Sequence, residues 1–353
     1  MVRSTCIKDA AIAAFGKRLE SARRIGIITH TRPDGDAIGS SLAMLRFIRS
    51  RYPRVEECRI LLDTSLPSSI EFILHEDDCT SIMVAAVLGA EPIGEYIAGC
   101  DLLVVLDMNT PSRCGEIESS LRNSKAPKIL IDHHMNPEAE LFDPIFSTNE
   151  VSSTCELLAG VLCALQGSDD IPFECCDPLL TGITTDTNNF ANSVFPATLE
   201  TVSLLLKRGA RRDEILYSLY NSYPERRFRL MGRLLDSGLT ITENGAAIMV
   251  LDSETSEAFG IEEGDTEGFV NIPLGIGRVR LSVFAKQDAG EYRISLRSKP
   301  GCSANALAVK YFQGGGHELA SGGIIPFGPS VPTKGEILSL IIRYTDEFFQ
   351  AQS

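Results

Sequence analysis

The sequence predicts an α/β fold, in which a parallel sheet covered by helices is joined by a helical connector to a smaller α+β domain. Short apolar runs in the first half contain few polar residues: IGIIT at 25–29, CRILL at 58–62, DLLVVLD at 101–107 and KILIDHH at 128–134. Such runs are typical of parallel strands that are buried on both faces. Helical patterns accompany them, among them AIGSSLAMLRFIRSRY at 37–52 and SSTCELLAGVLCALQ at 152–166.

The second half of the chain changes pattern twice. After Phe195 two stretches have helical spacing with charged positions on one face, PATLETVSLLLKRG and RRDEILYSLYNSYPERRFRLMGRLLDSG. From Leu239 onwards strand patterns follow, namely LTITENGAAIMVLD, GRVRLSVFAKQD and EYRISLRS. A length of 353 residues suits two domains. We therefore expect a first domain at 1–209, a helical linker at 210–238 and a second domain at 239–353.

Composition indicates a soluble globular protein. Hydrophobic residues make up 44% of the chain and charged residues 23%, as in proteins that bury sizeable cores. No run approaches the roughly 20 apolar residues of a membrane span, and the amino-terminal pattern is that of an amphipathic helix rather than a signal peptide. The ten cysteines lack paired metal-finger spacing, so we expect them to be reduced and the protein to be cytoplasmic, without a membrane partner.

The net charge of −14 argues against a protein that coats long nucleic acid. A small anionic substrate that meets a local basic patch is compatible with this charge. Basic residues outnumber acidic ones between Arg278 and Lys310, which places such a patch in the second domain.

Potential metal ligands occur in four separate segments, at predicted strand ends or after a short apolar stretch: His30, Asp34 and Asp36; Asp107; Asp132, His133 and His134; and Asp186. A single aspartate after a strand is usually a turn former or a helix cap, so only the joint pattern indicates a site. Ligands of open parallel sheets gather beyond the carboxyl ends of the strands. We therefore expect all four segments at one edge of the first sheet, with Asp107, His133 and Asp186 contributed by distant strand ends.

Imidazoles mixed with several carboxylates, and no thiolate, suit manganese or a similar divalent ion better than a cysteine-rich structural zinc site. The carboxylates are more numerous than the ligands that a single ion needs. Two ions sharing one ligand could lower the pKa of water and steady the leaving oxygen of an in-line phosphoryl displacement. The pattern therefore favours a phosphoester hydrolase with two divalent ions.

The second domain contains a candidate anion site in LRSKPGCSANALAVKYFQGGGHELASGG. Glycines 314–316 precede His317 and a stretch with helical spacing, so we expect backbone N–H groups to point outward at a helix start. Arg297, Ser298 and Lys299 lie nearby in sequence and strengthen this expectation.

These motifs resemble those of a known family. HTRPDGD at 30–36, LDMN at 106–109, DHH at 132–134 and TDTNNF at 185–190 are similar to the four ordered motifs of the DHH phosphoesterases. Later in the chain, the pattern RS…N…GGGHELASG resembles the DHHA1 domain of the same family. The nearest resemblance is to the group of bifunctional oligoribonucleases (nanoRNases) and 3′-phosphoadenosine 5′-phosphate phosphatases.

The resemblance implies a role for each motif residue. His30 and Asp34 would bind one manganese ion, Asp36, His133 and Asp186 would bind the other, and Asp107 would bridge the two. The resemblance also implies that His134 faces the substrate phosphate, while Asp132 would orient a histidine that binds metal. In the DHHA1 domain it assigns the terminal phosphate or nucleotide of the substrate to Arg297, Ser298, Asn305, Gly315, Gly316 and His317.

One departure from the family pattern concerns the fourth motif. Close relatives usually have DTGRF where this chain has DTNNF. Asn188 and Asn189 leave the metal ligand in place but remove the arginine that could contact substrate.

The expected activity is hydrolysis of very short RNA to mononucleotides and of 3′-phosphoadenosine 5′-phosphate to AMP, with a homodimer as a possible assembly. Two alternatives stay open. Relatives with the same layout suggest a cyclic di-AMP or pApA phosphodiesterase. A catalytically inactive nucleotide-binding regulator is the third reading, because a fold does not guarantee its function.

Overall fold

The structure, a computed structural model, describes residues 6–262 and 264–351, and describes the backbone alone at His317. Contacts between Cα atoms divide the chain into two units, Met1–Ser222 and Tyr223–Ser353.

The first unit contains a six-stranded parallel sheet. Its strands are β1 (Arg24–Ile28), β2 (Glu57–Leu62), β3 (Ile82–Val84), β4 (Leu102–Leu106), β5 (Lys128–Asp132) and β6 (Ile145–Ser147). They lie in the order β3-β2-β1-β4-β5-β6, and every neighbouring pair is parallel. All residues of β4 and β5 are buried, which explains why their sequences lack the alternation of a half-exposed strand. The predicted parallel sheet is confirmed.

Ten α-helices lie in the described part of this unit. They are α1 (Asp9–Ser21), α2 (Gly35–Arg51), α3 (Glu76–Cys79), α4 (Ala85–Leu88), α5 (Ala90–Ala98), α6 (Glu118–Asn123), α7 (Thr154–Gln166), α8 (Phe173–Asp186), α9 (Pro196–Lys207) and α10 (Arg212–Tyr220). Three 3-10 helices connect them, at Ser68–Ile73, Pro111–Ile117 and Ala139–Leu141.

The core of the first unit occupies both faces of its sheet, because successive strand residues point to opposite faces. Leu102, Val104 and Leu106 belong to one apolar cluster, which also contains the buried residues of α2, α7 and α8. Leu103 and Val105 belong to a second cluster, which includes residues of α5. The sheet is therefore anchored from both sides, and the ends of its strands are held in fixed positions.

The second unit contains a mixed sheet with the strand order β11-β12-β10-β9-β8-β7. The strands are β7 (Leu239–Ile241), β8 (Ala246–Leu251), β9 (Leu281–Asp288), β10 (Glu291–Ser298), β11 (Gly315–His317) and β12 (Ala320–Pro326). Only β8 and β9 pair in parallel; the other pairs are antiparallel. The helices are α11 (Glu225–Ser237), α12 (Ser253–Ala258), α13 (Ala304–Tyr311) and α14 (Lys334–Gln350), with a 3-10 helix at Phe269–Gly275. The predicted α+β character is confirmed.

The segment expected as a linker, 210–238, contains one helix of each unit. Ile215 and Leu219 of α10 are buried in the main core of the first unit. Leu230 and Leu234 of α11 are buried with strand residues of the second unit. The division between Ser222 and Tyr223 lies between these helices. The functional domain bounds 1–209, 210–238 and 239–353 stay a prediction.

The glycine-rich segment of the second unit corrects one expectation. Residues 315–317 do not precede a helix; they form β11, which pairs with β12 in a hairpin. The segment cannot continue as a helix because its backbone packs against β12. A Cβ atom on Gly314 would lie 1.9 Å from the carbonyl oxygen of Gly322. The glycines thus permit close strand contact rather than a helix start.

All ten cysteines lie within the described residues, and none of them forms a disulfide. Eight of them are buried, so they contribute to packing, as the sequence predicts. In the part of the chain that the structure describes, no helix combines the length and apolar character needed to cross a membrane.

Candidate metal centre

Adjacent strands of the first sheet bring the predicted ligands to one edge. The central strands β1, β4 and β5 are neighbours and run parallel, so their carboxyl ends lie at the same edge. His30 follows β1, Asp107 follows β4, and His133 and His134 follow β5. Asp34 caps α2, where its Oδ1 accepts hydrogen bonds from the backbone of Asp36 (3.0 Å) and Ala37 (3.1 Å).

Asp186 reaches this edge from a helix, which corrects the expectation of another strand end. It is the last residue of α8, a helix that packs against α2. The run LLTGITTD is short and apolar, and such runs do not distinguish a buried helix from a strand. A Cβ atom on Gly182 would lie 2.8 Å from Asp36 Oδ1, so this glycine allows α8 to approach α2 closely.

The first cluster of potential ligands comprises His30, Asp34 and Asp107. His30 Nε2 lies 3.3 Å from Asp107 Oδ2 and 3.9 Å from Asp34 Oδ1. His30 Nδ1 hydrogen-bonds the carbonyl oxygen of Thr31 at 2.8 Å, which leaves Nε2 facing the carboxylates. A metal-binding histidine is commonly oriented by such a bond to its other nitrogen.

The second cluster comprises Asp36, His133 and Asp186. His133 Nε2 lies 3.4 Å from Asp186 Oδ2 and 4.0 Å from Asp36 Oδ2. The same nitrogen lies 3.5 Å from Asp107 Oδ1. Asp107 therefore presents Oδ2 to the first cluster and Oδ1 to the second. Its backbone is left-handed, with φ at 57°, a conformation that costs energy in a residue with a side chain and is found at functional sites.

His134 lies beside these clusters and is oriented by Asp132. The Nδ1 atom of His134 is 2.8 Å from Asp132 Oδ1 and 3.7 Å from Asp107 Oδ1. Asp132 is fully buried at the end of β5. Asp132 thus contacts His134, the residue assigned to the substrate, rather than the metal-binding histidine that the resemblance implies. His133 is the histidine placed between the carboxylates.

Burial and like charge disturb the acidity of the carboxylates. Burial raises the pKa of Asp36 well above its usual range, and the charges of Asp107 and Asp34 raise it further. Burial also raises the pKa of Asp186, again with help from neighbouring carboxylates. Among the described residues, no lysine or arginine forms an ion pair with Asp36, Asp107 or Asp186. Negative charge is concentrated here without a permanent cation to balance it.

The carboxylate charges also change the pKa of the histidine that they surround. Burial alone would lower the pKa of His30, but the hydrogen bond and charge of Asp107, followed by the charge of Asp34, raise it to about 9. Burial would raise the pKa of Asp107, but its contact with His30 and the nearby histidine charges hold it below its usual range. A proton on His30 thus compensates part of the carboxylate charge. A divalent cation bound by nitrogen and oxygen ligands would do so more completely. The residues fit such an ion.

The start of α7 also contacts the centre, which the sequence interpretation missed. The backbone N–H groups of Thr154 and Cys155 donate to Asp36, and the Thr154 hydroxyl donates to Asp107. One sequence signal was available. Ser153 and Glu156 have the spacing of a helix cap followed three residues later by a glutamate, which would have located a helix start here.

The predicted anion-binding residues of the second unit lie on adjacent strands and a neighbouring helix. Arg297 of β10 pairs with Ala320 of β12, which in turn pairs with His317 of β11. Asn305 Oδ1 lies 3.7 Å from the position that a Cβ on Gly315 would occupy. The side chain of His317 lies outside the described residues, so only its backbone position is established.

Among the described side chains of this group, Arg297 and Ser298 each donate one hydrogen bond to a carbonyl oxygen. Arg297 is half-buried and Nη1 donates to the carbonyl oxygen of Leu296 at 2.9 Å. Burial lowers the pKa of its guanidinium. The Ser298 hydroxyl donates to the carbonyl oxygen of Cys302 at 2.6 Å, so its remaining capacity is to accept a hydrogen bond. Arg297 is thus the member of this group best suited to meet an anion.

The fourth motif departs from the family pattern in a strained turn. Asn188, Asn189 and Phe190 all have positive φ angles, of 48°, 53° and 66°. Arg212 Nη2 donates to Asn189 Oδ1 at 3.4 Å. An arginine from α10 therefore contacts Asn189, the residue at which the resemblance implies an arginine.

Comparisons with known proteins agree with this layout. The model of the DHH family, N-terminal domain, matches residues 24–183, and the DHHA1 domain model matches residues 245–345. The bifunctional oligoribonuclease and PAP phosphatase NrnA of Thermus thermophilus is 31% identical over 304 residues, which cover 84% of this chain and 83% of that protein.

Two further proteins are similar. A solved structure of an exopolyphosphatase-related protein from Bacteroides fragilis has 32% identity and a TM-score of 0.89, and 99% of each chain is covered. The cyclic-di-AMP phosphodiesterase PdeA of Listeria monocytogenes is 26% identical over 275 residues, 75% of this chain but 40% of that longer protein. The chain therefore belongs to the DHH family of phosphoesterases, with a DHH N-terminal domain followed by a DHHA1 domain.

Proposed function

We propose that the protein hydrolyses very short oligoribonucleotides to mononucleotides and removes the 3′-phosphate of 3′-phosphoadenosine 5′-phosphate to give AMP. The observation that carries the proposal is the position of Asp107 between the two ligand clusters, with one carboxylate oxygen facing each. Similarity to NrnA over 84% of the chain supports the substrate class. Short substrates also agree with the net charge of −14, because binding a long strand would need an extended basic groove.

We assign two divalent ions, most readily Mn(II), to the centre. His30 and Asp34 would hold one, Asp36, His133 and Asp186 would hold the other, and Asp107 would contact both. When bound, such ions lower the pKa of water and stabilise charge that develops on phosphoryl oxygens. The carboxylate and imidazole ligands, with no cysteine among them, favour manganese over a structural zinc site.

The other residues of the proposal position the substrate. We assign the imidazole of His134 to the phosphate that is attacked, with Asp132 fixing the ring through Nδ1. We assign the terminal phosphate or nucleotide to a second set of residues, Arg297, Ser298, Asn305, Gly315, Gly316 and His317. Arg297 supplies the charge in that set, and a guanidinium matches the geometry of a phosphate with two parallel hydrogen bonds.

The experiment uses the full chain loaded with Mn(II), with bound metal measured independently. It should release mononucleotides from a diribonucleotide, and AMP and phosphate from 3′-phosphoadenosine 5′-phosphate. Absence of hydrolysis of either compound by demonstrably loaded protein would contradict the proposal. A cytoplasmic location and a homodimer are further predictions, to be checked by fractionation and by light scattering.

A second candidate is a phosphodiesterase of cyclic di-AMP or of its linear product pApA. The similarity to PdeA over 75% of the chain favours it. The values of kcat/KM for diribonucleotide, 3′-phosphoadenosine 5′-phosphate, pApA and cyclic di-AMP, measured on one preparation, would rank the candidates. The leading proposal predicts that the first two exceed cyclic di-AMP.

The hypothesis that the protein is an inactive nucleotide-binding regulator makes a different prediction. Such a protein would have no turnover to lose, whereas the leading proposal predicts that Asp107→Ala abolishes turnover. All six proposed ligand positions carry a carboxylate or an imidazole, which opposes this reading.

A further inference from the structure

We propose that Thr154 is a positioning residue of the metal centre, which fixes the orientation of Asp107 so that each of its carboxylate oxygens serves a different ion. The proposal rests on the proposed function, because it assigns a role relative to the two ions. Thr154 is not itself a ligand or a group that contacts substrate. It acts through the two carboxylates that it contacts.

Hydrogen bonds from α7 to Asp36 and Asp107 establish the geometry. The Thr154 hydroxyl donates to Asp107 Oδ1 at 3.0 Å. The Thr154 backbone N–H donates to Asp36 Oδ2 at 2.7 Å, and the Cys155 N–H donates to Asp36 Oδ1 at 2.8 Å. Asp36 and Asp107 come from segments that follow different strands. The first two residues of α7 therefore fix the carboxylates of both relative to each other.

The Thr154 contact distinguishes the two oxygens of Asp107. Oδ1 receives the hydroxyl proton and lies 3.5 Å from His133 Nε2, whereas Oδ2 lies 3.3 Å from His30 Nε2. A partial rotation of the carboxylate would break the bond to Thr154 and turn its oxygens away from the two clusters. A hydroxyl at this position thus favours the orientation that a bridging ligand requires.

A buried network holds the start of α7 in place. The Ser153 hydroxyl caps the helix by accepting from Glu156 N at 3.1 Å. Glu156 Oε2 accepts from the backbone and hydroxyl of Ser152, and from the Thr198 hydroxyl of α9, at 2.9, 2.6 and 2.7 Å. These groups are all buried, so a break in the network would leave a polar group without a partner. The network restrains Thr154, and Thr154 restrains the carboxylates.

The surroundings also oppose movement of Asp36 away from α7. A Cβ on Gly182 would lie 2.3 Å from Cys155 Sγ and 2.8 Å from Asp36 Oδ1, so α8 already packs tightly against this side. The N–H groups of α7 point at the carboxylate with the favourable end of the helix dipole. These hydrogen bonds offset part of the cost of burying the Asp36 carboxylate, which would be larger for an unpaired group.

The test compares three threonine variants by Mn(II) titration calorimetry, with kcat and KM measured at saturating Mn(II). Thr154→Val removes the hydroxyl at nearly constant volume, and Thr154→Ser keeps it. Thr184→Val is the matched control, because Thr184 is buried and its hydroxyl donates to Leu180 O at 2.7 Å without contacting a carboxylate. Thermal melting of the metal-free proteins reports on the fold. Thr154→Ala, which also lacks the hydroxyl, replaces Thr154→Val if that variant does not fold.

We expect Thr154→Val to weaken Mn(II) binding by roughly 10–100-fold, the usual loss when a group that orients metal ligands is removed. It should lower kcat more than it changes KM. Thr154→Ser should bind within about threefold of wild type, and Thr184→Val should bind as wild type does. Wild-type affinity in Thr154→Val, or equal losses in Thr154→Ser, would overturn the proposal while leaving the proposed function intact. Failure of the wild type itself to bind Mn(II) would overturn both.

Discussion

The metal centre of the first unit and the anion-binding group of the second unit are built in different ways. Asp36 and Asp107 are almost wholly buried, with exposed fractions of 0% and 2%, and both accept hydrogen bonds from the start of α7. Arg297 is half-buried and has a single described hydrogen bond, to a neighbouring carbonyl. The contrast suggests that the first group is fixed in advance for chemistry, whereas the second retains hydrogen-bonding capacity for a ligand.

Replacing Asp107 tests the first half of this contrast and should have the largest effect. Asp107→Asn keeps the shape but removes the charge that both ion sites share. We expect kcat to fall on the order of 10³-fold or more, because groups that act as a unit lose most of their effect together. Steady-state kinetics with Mn(II) held constant would measure the loss. Asp170→Asn is the control, since Asp170 pairs with surface arginines, and comparable loss in that variant would contradict the assignment.

A methyl group at Gly182 tests whether close packing of α8 sets the geometry of the centre. The added Cβ would meet Cys155 Sγ and Asp36 Oδ1. We expect Gly182→Ala to lose about 1–3 kcal/mol of stability by overpacking and to weaken Mn(II) binding. Denaturant unfolding and titration calorimetry would measure these effects.

Gly232→Ala provides the control, because nothing lies within 4 Å of a Cβ at that position in α11. It should be neutral or stabilised by up to about 1 kcal/mol. Equal behaviour of the two variants would show that the packing around Asp36 is less tight than the distances indicate.

Substitution of Arg297 tests the second half of the contrast. Arg297→Ala should raise KM for 3′-phosphoadenosine 5′-phosphate by about tenfold, equivalent to about 1.4 kcal/mol, with a smaller change in kcat and unchanged Mn(II) binding. Arg297→Lys should restore only part of the affinity, because an ammonium lacks the planar fork of a guanidinium. Arg293→Ala on the same strand is the control, since Arg293 pairs with Asp288. A fall in kcat alone would contradict the division of labour.

The pH dependence of the thermal stability of the metal-free protein tests whether the charge of the centre is unbalanced. We expect this effect to be the smallest. The folded pKa of His30 is about 9, above its ordinary 6.5, so its stabilising contribution is complete below pH 6.5 and lost as pH rises through 9. The raised pKa values of Asp36 and Asp186 act in the same direction. We expect Tm of the metal-free protein to fall by roughly 2–4 °C per pH unit in this window.

Saturating Mn(II) should remove this trend, because metal binding displaces the protons. Differential scanning calorimetry with and without chelator would measure both curves. A metal-free Tm that rises over the same range would contradict the proposed protonation of the centre.

The sequence predicted those parts of the fold that depend on local pattern. β1, β4 and β5 were recognisable as buried strands, and their order along the chain led to a shared edge for His30, Asp107 and His133. The sequence also predicts Asp186 near the centre, but at a strand end rather than a helix end, because LLTGITTD is too short to be distinguished from a strand. Periodicity does not resolve such a segment, whereas its packing against α2 does.

The remaining differences between the sequence prediction and the structure arise from contacts between distant segments. Glycines 314–316 suggest the start of a helix, and only pairing with β12 shows that Gly315 and Gly316 lie in a hairpin strand. Thr154 gave no signal of a role at the centre, because Asp36 is 118 residues away in sequence. Helix caps can be inferred from neighbouring residues, but a carboxylate held by a cap from another segment requires the three-dimensional structure.

The central claim is that one carboxylate, Asp107, joins two ion sites in the first unit. Anomalous diffraction from crystals of the full chain grown with Mn(II) tests it most directly. The account predicts two manganese peaks per chain, one against His30 and Asp34 and the other against Asp36, His133 and Asp186, with Asp107 in contact with both. A single peak, or two peaks that do not share Asp107, would contradict it.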